Sequence, residues 1–154
     1  MYFDFIRISF IAASIFLIVI LILLSIYMYK RNNEYKDYII RPICVGIPTI
    51  IFYNIFLISG PHKMAVFFDS LFFVGTDWLA MCMFLFAIGY TGIWLKYKKQ
   101  IIILFSILCG IDSVSLLSNN ITFRLYDLVL MTTKNGIEYW GNAFAFPHYI
   151  HLAL

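Results

Sequence analysis

Charge is scarce in this sequence: only 12% of its 154 residues are Asp, Glu, Lys or Arg, and 63% are hydrophobic. A soluble domain carries about 25% charged residues. With so little polar surface to cover a core, the surplus apolar surface has to face lipid. The formal net charge of +3 is split among short loops, so no basic face exists for a nucleic acid. Cysteine is sparse too. Cys44, Cys82 and Cys109 stand alone inside separate apolar runs, without the CxxC or Cys/His spacing of a metal site or redox pair, and they read as small packing residues. A glycine-rich phosphate loop, a Ser-His-Asp arrangement on a recognisable scaffold and an amphipathic basic helix are all missing. No cofactor, no metal and no enzymatic activity are expected. The Ile-, Phe-, Lys- and Asn-rich usage hints at an AT-rich bacterial genome.

What the chain does have is long apolar runs, with a mean hydropathy of +0.91. Residues 8–29 form a run of about 22 residues, or ~33 Å as a helix, enough to cross the hydrocarbon core. It is too long for a signal peptide, and its charges, Lys30 and Arg31, follow it rather than precede it. A second span is expected over 42–59, with Pro42 in the first turn, Pro48 as an internal kink and Gly60-Pro61 as the stop. The third, 66–95, is longer than one upright helix needs and too short for two, so one tilted helix is predicted. The fourth covers 101–117. A fifth apolar run, 143–154, is still open where the sequence ends. The fold class is therefore an all-α integral membrane helical bundle: one membrane domain over 1–154, with four full transmembrane helices and the start of a fifth.

The connection 30–41 carries Lys30, Arg31, Lys36 and Arg41, and 96–99 carries Lys96, Lys98 and Lys99. The positive-inside rule puts both in the cytoplasm and the N-terminus outside, making this a multi-pass plasma-membrane protein. The outer loop, 118–142, is the one sizeable polar region. Its β-branched and aromatic residues around Asn135-Gly136 predict a small extracytoplasmic β-hairpin, with Tyr139 and Trp140 at the interface.

Polar groups within the spans are costly unless paired, and they supply the candidate site residues. Asn54, Asp77 and Asp112 belong to the second, third and fourth spans, and His148 and His151 open the fifth. Counted from the span ends at ~1.5 Å per residue, all fall in the outer half of the bilayer, where a ligand- or proton-sensing pocket would set carboxylates against imidazoles with Asn54 donating. The two histidines are three apart on one helical face. Interhelical hydrogen bonding is the competing reading. It is favoured for Asn54 and stays open beside sensing for Asp77 and Asp112, while His148 also fits the wet interface beside Pro147. A metal site would need a third ligand converging with the histidine pair. Ser106 and Gly110 form a small-xxx-small pair suited to close helix packing. Asp69 reads as a first-turn carboxylate on the positive end of the third helix.

Three stretches carry a family likeness. The third span reads FFVGTDWLAMCMFLFAIGYTG, with Gly75, Trp78, Leu79, Phe86, Tyr90, Thr91 and Gly92 in sequence; Ser118-Asn119 closes the fourth span; Tyr139, Gly141, Phe144 and His148 approach the fifth. In this order of features the chain resembles the N-terminal seven-helix membrane sensor region of bacterial histidine kinases, which also occurs ahead of diguanylate cyclase domains. Asp77 departs from the family, which is usually apolar or Pro there. The resemblance implies a signal-input module truncated within the fifth helix. Its partners would be membrane lipid, a small extracytoplasmic ligand and a cytoplasmic output domain or partner protein, with no nucleic acid. The kinase and cyclase modules of the family have no counterpart in this chain. The alternative is a fragment or small subunit of a membrane transporter, although no internal repeat between the halves supports it.

Overall fold

A computed structural model of the chain describes residues 2–30, 36–122, 125–132, 136 and 138–144. It contains four long helices, α1 (Tyr2–Lys30), α2 (Lys36–Ile58), α3 (His62–Thr91) and α4 (Lys98–Thr122), with a single 3-10 turn at Leu95–Tyr97 before α4. Two antiparallel strands follow, β1 (Tyr126–Thr132) and β2 (Glu138–Phe144). All four helices are long and apolar enough to cross a membrane. Their exposed surfaces carry Phe16, Leu23, Ile103, Ile111 and Val114 at 51–70% accessibility. Apolar patches of that extent are not sustained in water. The chain is a multi-pass membrane protein.

Most hydroxyls on the helices are satisfied locally, as suits a segment in hydrocarbon. The hydroxyls of Ser14, Thr49, Thr76, Thr91 and Ser115 all donate to the carbonyl four residues earlier in their own helix, and Ser59, just past α2, does the same to Ile55. They can therefore face lipid or a neighbour without an external partner. The tightest seam joins α2 to α3 through glycines. A Cβ added at Gly75 would overlap the side chain of Thr49, and one at Gly89 would stand 2.6 Å from the ring of Tyr38. The Lys98 ammonium in turn bonds the Tyr38 hydroxyl, tying the start of α4 to the start of α2. Gly75→Val should accordingly push α2 from α3 and destabilise the bundle by about 1–3 kcal/mol, the usual cost of overpacking. Thermal unfolding in detergent would check this, with Gly110→Val as the neutral comparison.

The structure corrects several sequence expectations. Helix α2 starts at Lys36, so Pro42 lies in its second turn rather than its first. Helix α3 stops at Thr91, short of residue 95, because Gly92 takes a left-handed φ of 72° and returns its N–H to the Ile88 carbonyl, 3.1 Å away. This is the αL cap that glycine adopts without strain. Residues 118–122, assigned to the outer loop, are the last turn of α4. The Ser106/Gly110 seam fails at Gly110, where an added Cβ meets nothing within 4 Å. Asp69 is not in the first turn of α3; it stands two turns in and is 2% exposed. Ala143 and Phe144, taken as the start of a fifth helix, belong to β2. The strand thus also takes in Tyr139 and Gly141 of the stretch that resembled the fifth span. The rest of that run, 145–154, lies outside the described residues.

The expected hairpin is present, paired from Tyr126↔Phe144 to Thr132↔Glu138. Gly136, in its connection, has φ 75°, a conformation that L residues with a Cβ rarely adopt. Only the first part of β1 is docked. Tyr126 and Leu128 point into a cluster with Ala65 and Val66 of α3 and Leu116 of α4, flanked by Phe73 and Trp140. The hairpin thus caps the end of the bundle where α3 begins and α4 ends.

Candidate functional site

Two polar centres occupy the bundle. The inner one lies at the α3–α4 seam. Asp77 stands about midway along α3, and Asp112 a little past the middle of α4. Their carboxyls come within hydrogen-bonding reach of each other. Asp112 is 8% exposed, and the Oδ2 of Asp77 is buried with no hydrogen-bond partner among the described residues. Both line a cavity of about 280 Å³ whose other walls are Ala80, Met81, Phe84, Phe105, Leu108 and Cys109. Among the described residues, no cationic side chain lines it. The seam is pinned on either side of the pair. The Trp78 indole N–H donates to Ser113 Oγ at 3.1 Å, and that hydroxyl donates to the Cys109 carbonyl at 2.6 Å. The Cys109 thiol approaches the Asp77 carbonyl at 3.9 Å, and the rings of Phe84 and Phe105 meet at 5.1 Å.

The outer centre locks the hairpin down. Asn119, fully buried in the last turn of α4, donates from Nδ2 to the Tyr126 carbonyl at 2.8 Å. Its Oδ1 accepts from Leu125 N at 2.8 Å and from Tyr126 N at 3.4 Å. One side chain therefore satisfies three backbone groups where the chain turns from helix to strand. The Tyr126 hydroxyl, also fully buried, meets Ser70 Oγ at 2.8 Å and bonds the Asp69 carboxyl, which also engages Asn142 of β2. At the rim, His62 Nε2 lies 3.0 Å from the Leu128 carbonyl and 2.9 Å from Asp127 Oδ1, and the imidazole sits edge-on to Trp140 at 5.2 Å.

Of the five residues singled out in the sequence, Asp77 and Asp112 are brought together. Asn54 is elsewhere. Its Nδ2 donates to the Ile50 carbonyl of its own helix at 2.8 Å, and its side chain lines a crevice against Ile11, Ile15 and Ile18 of α1. His148 and His151 lie outside the described residues. The outer centre is built from residues that form no motif in the sequence. His62, Ser70 and Tyr126 drew no notice as functional residues, and Asp69 was read as a dipole partner. A signal was available, since Ala65, Val66, Asp69, Ser70 and Phe73 recur at helical spacing on one face of α3. That face is too polar for lipid and calls for a protein partner.

No protein-family model, no curated protein and no solved structure matches this chain. Its own geometry defines the class: among the described residues, four helices long and apolar enough to cross a membrane, a buried carboxyl pair in their midst and a strand pair clasped over one end.

Proposed function

We propose that the chain is a membrane-embedded signal-input module that reads protonation, or a small extracytoplasmic ligand, at the α3–α4 seam and passes the change along the helices to a cytoplasmic output domain or partner protein. In this reading the lysine-rich ends at Lys30, Lys36, Arg41, Lys96, Lys98 and Lys99 lie in the cytoplasm and the hairpin lies outside, following the positive-inside rule. The order of apolar spans and the GYTG end of α3 support it through their resemblance to the sensor region of histidine kinases.

The Asp77–Asp112 contact carries the proposal. A hydrogen bond between two carboxyl groups exists only while one of them keeps its proton. Once that proton leaves, two carboxylates stand side by side across the seam, and their mutual repulsion disfavours the closed arrangement of α3 and α4. A proton or a cationic ligand would hold the closed arrangement, and its differential affinity for the two arrangements is what shifts the population. Trp78, next to Asp77 and bonded across the seam to Ser113, is a built-in reporter.

The test uses the chain in lipid nanodiscs with Trp94 and Trp140 replaced by Phe, following Trp78 emission against pH. The parent should show a transition that Asp112→Asn abolishes, because an amide can donate to the Asp77 carboxylate or accept from its protonated form, keeping the seam closed in either state. Identical profiles for the parent, Asp112→Asn and Asp77→Asn would reduce the pair to interhelical packing. Ionisable groups at this depth also mark proton pathways, which is the basis of the transporter alternative. Substrate-dependent flux in proteoliposomes would favour that reading instead.

A further inference from the structure

The crevice bounded by α1, α2 and α3 is distinct from the carboxyl seam and uses none of its residues. Helix α1 packs on α2, and α2 on α3, which leaves a channel along α2 between the other two. At the hairpin end it opens into a cavity of about 540 Å³ with Arg7 of α1 and Glu138 of β2 on its walls, between the aromatic rings of Tyr53, Phe56 and Trp140. Neither the Arg7 guanidinium nor the Glu138 carboxylate has an ion-pair or hydrogen-bond partner among the described residues. Tyr53 is shared with a second cavity of about 430 Å³ directly below, whose walls are almost wholly apolar and include Phe10, Ala13, Leu17 and Phe72. From Arg7 to Leu17 a helix rises ~15 Å, half of the ~30 Å hydrocarbon core. The two cavities together span one leaflet.

We propose that this crevice binds a single phospholipid with a zwitterionic, ammonium-bearing headgroup. Its phosphate lies on Arg7, its ammonium on Glu138, and one acyl chain fills the lower cavity past Phe10 and Leu17. The assignment follows from charge order. A guanidinium takes a phosphate through two parallel N–H bonds, and a carboxylate beside it is complementary to an adjacent ammonium. That same carboxylate repels a headgroup whose only charge is negative. The lower cavity rejects polar ligands, because its walls offer almost nothing to replace water, and it admits a hydrocarbon chain from the surrounding bilayer.

The experiment is native mass spectrometry of the purified chain exposed to phosphatidylethanolamine, phosphatidylglycerol or phosphatidylcholine of identical acyl chains. Phosphatidylethanolamine should be retained about tenfold better than phosphatidylglycerol, the size expected when one charge-assisted hydrogen bond replaces a repulsion. Glu138→Gln, at an exposed strand position, should remove that preference. Arg7→Gln should lower retention of all three lipids about tenfold. Ala13→Trp, which fills the lower cavity and leaves the head contacts in place, should lower all three equally. Equal retention of the three headgroups by the parent would overturn the proposal, as would an unchanged preference in Glu138→Gln, which decides the matter even if Arg7→Gln fails to fold. Free phosphoethanolamine should not displace bound lipid at millimolar concentration. Saturable binding of that soluble zwitterion with no lipid retained would also overturn the proposal, assigning the site to a ligand from water.

Discussion

Replacing Asn119 by leucine should release the hairpin from the bundle while leaving the four helices intact. The native amide satisfies the Tyr126 carbonyl and the Leu125 and Tyr126 N–H groups, and both Asn119 and Tyr126 are fully buried. Leucine is close in size but offers none of these bonds, so the backbone groups must stay buried and unsatisfied or the hairpin must undock. Each orphaned group costs about 1–3 kcal/mol, so losing all three costs the docked state roughly 3–9 kcal/mol in total. A two-stranded sheet has little stability of its own, and the remaining contacts of Tyr126, Leu128 and His62 are then left to hold it against that loss. Hydrogen exchange in β1 should quicken at least about a hundredfold, since each 1.4 kcal/mol is a factor of ten. Exchange within α1–α4, set by helices in contact with lipid, should change little. Native protection of Tyr126–Thr132 in the leucine variant would show that the apolar cluster alone holds the hairpin.

The parts of the fold that could be read from the sequence were those dictated by solvent. Hydrocarbon demands long apolar runs whose backbone bonds close internally, so four spans stand out by length alone, and the Asn135-Gly136 pair marked the hairpin. The ends of the spans were harder to read. Lys36, Asp37 and Tyr38 are too polar for a hydropathy run, yet they continue α2 in the wet interfacial zone. Ile93, Trp94 and Leu95 are apolar enough to prolong α3, yet Gly92 terminates it by backbone conformation rather than by polarity. The fifth run began too early because Ala143 and Phe144 are as suited to a strand beside Tyr126 and Asp127 as to a helix.

The candidate site divides along similar lines. Depth along a helix can be counted from a sequence; rotation relative to a neighbouring helix cannot. Asp77 and Asp112 fall at comparable depth, and the helix rotation that brings them to one cavity also sets Trp78 against Ser113 across the seam. Asn54 lies on a helix rotated so that its side chain meets α1 instead. The hairpin clasp was illegible for a different reason. Its residues are ordinary ones, Asn, Ser, Tyr and His, and their meaning comes from long-range partners such as Ser70 and Tyr126, 56 positions apart.

Tyr126→Phe isolates that long-range partnership, and its effect should depend on pH. The Tyr126 hydroxyl lies beneath the hairpin, bonded to Ser70 Oγ and to the Asp69 carboxyl. Burial first, and the neighbouring Asp69 charge second, push its pKa above the ordinary tyrosine value. The docked state therefore holds the phenolic proton at pH values where the undocked, hydrated phenol begins to release it. A group whose pKa is higher in the folded state contributes stability that is complete below its unfolded pKa, near 10 for tyrosine, and is lost as pH rises toward the folded value. Docking of the parent hairpin should thus weaken above about pH 10, by up to tenfold per pH unit. Phenylalanine cannot ionise, so the variant should lack this alkaline loss. At neutral pH it should be the weaker of the two by about 1–3 kcal/mol, because Ser70 and Asp69 lose a buried partner. Emission from Trp140, which packs against the same cluster, can follow both effects. The two curves should converge as pH rises; parallel curves would mean that the proton on Tyr126 has no part in holding the hairpin to the helices.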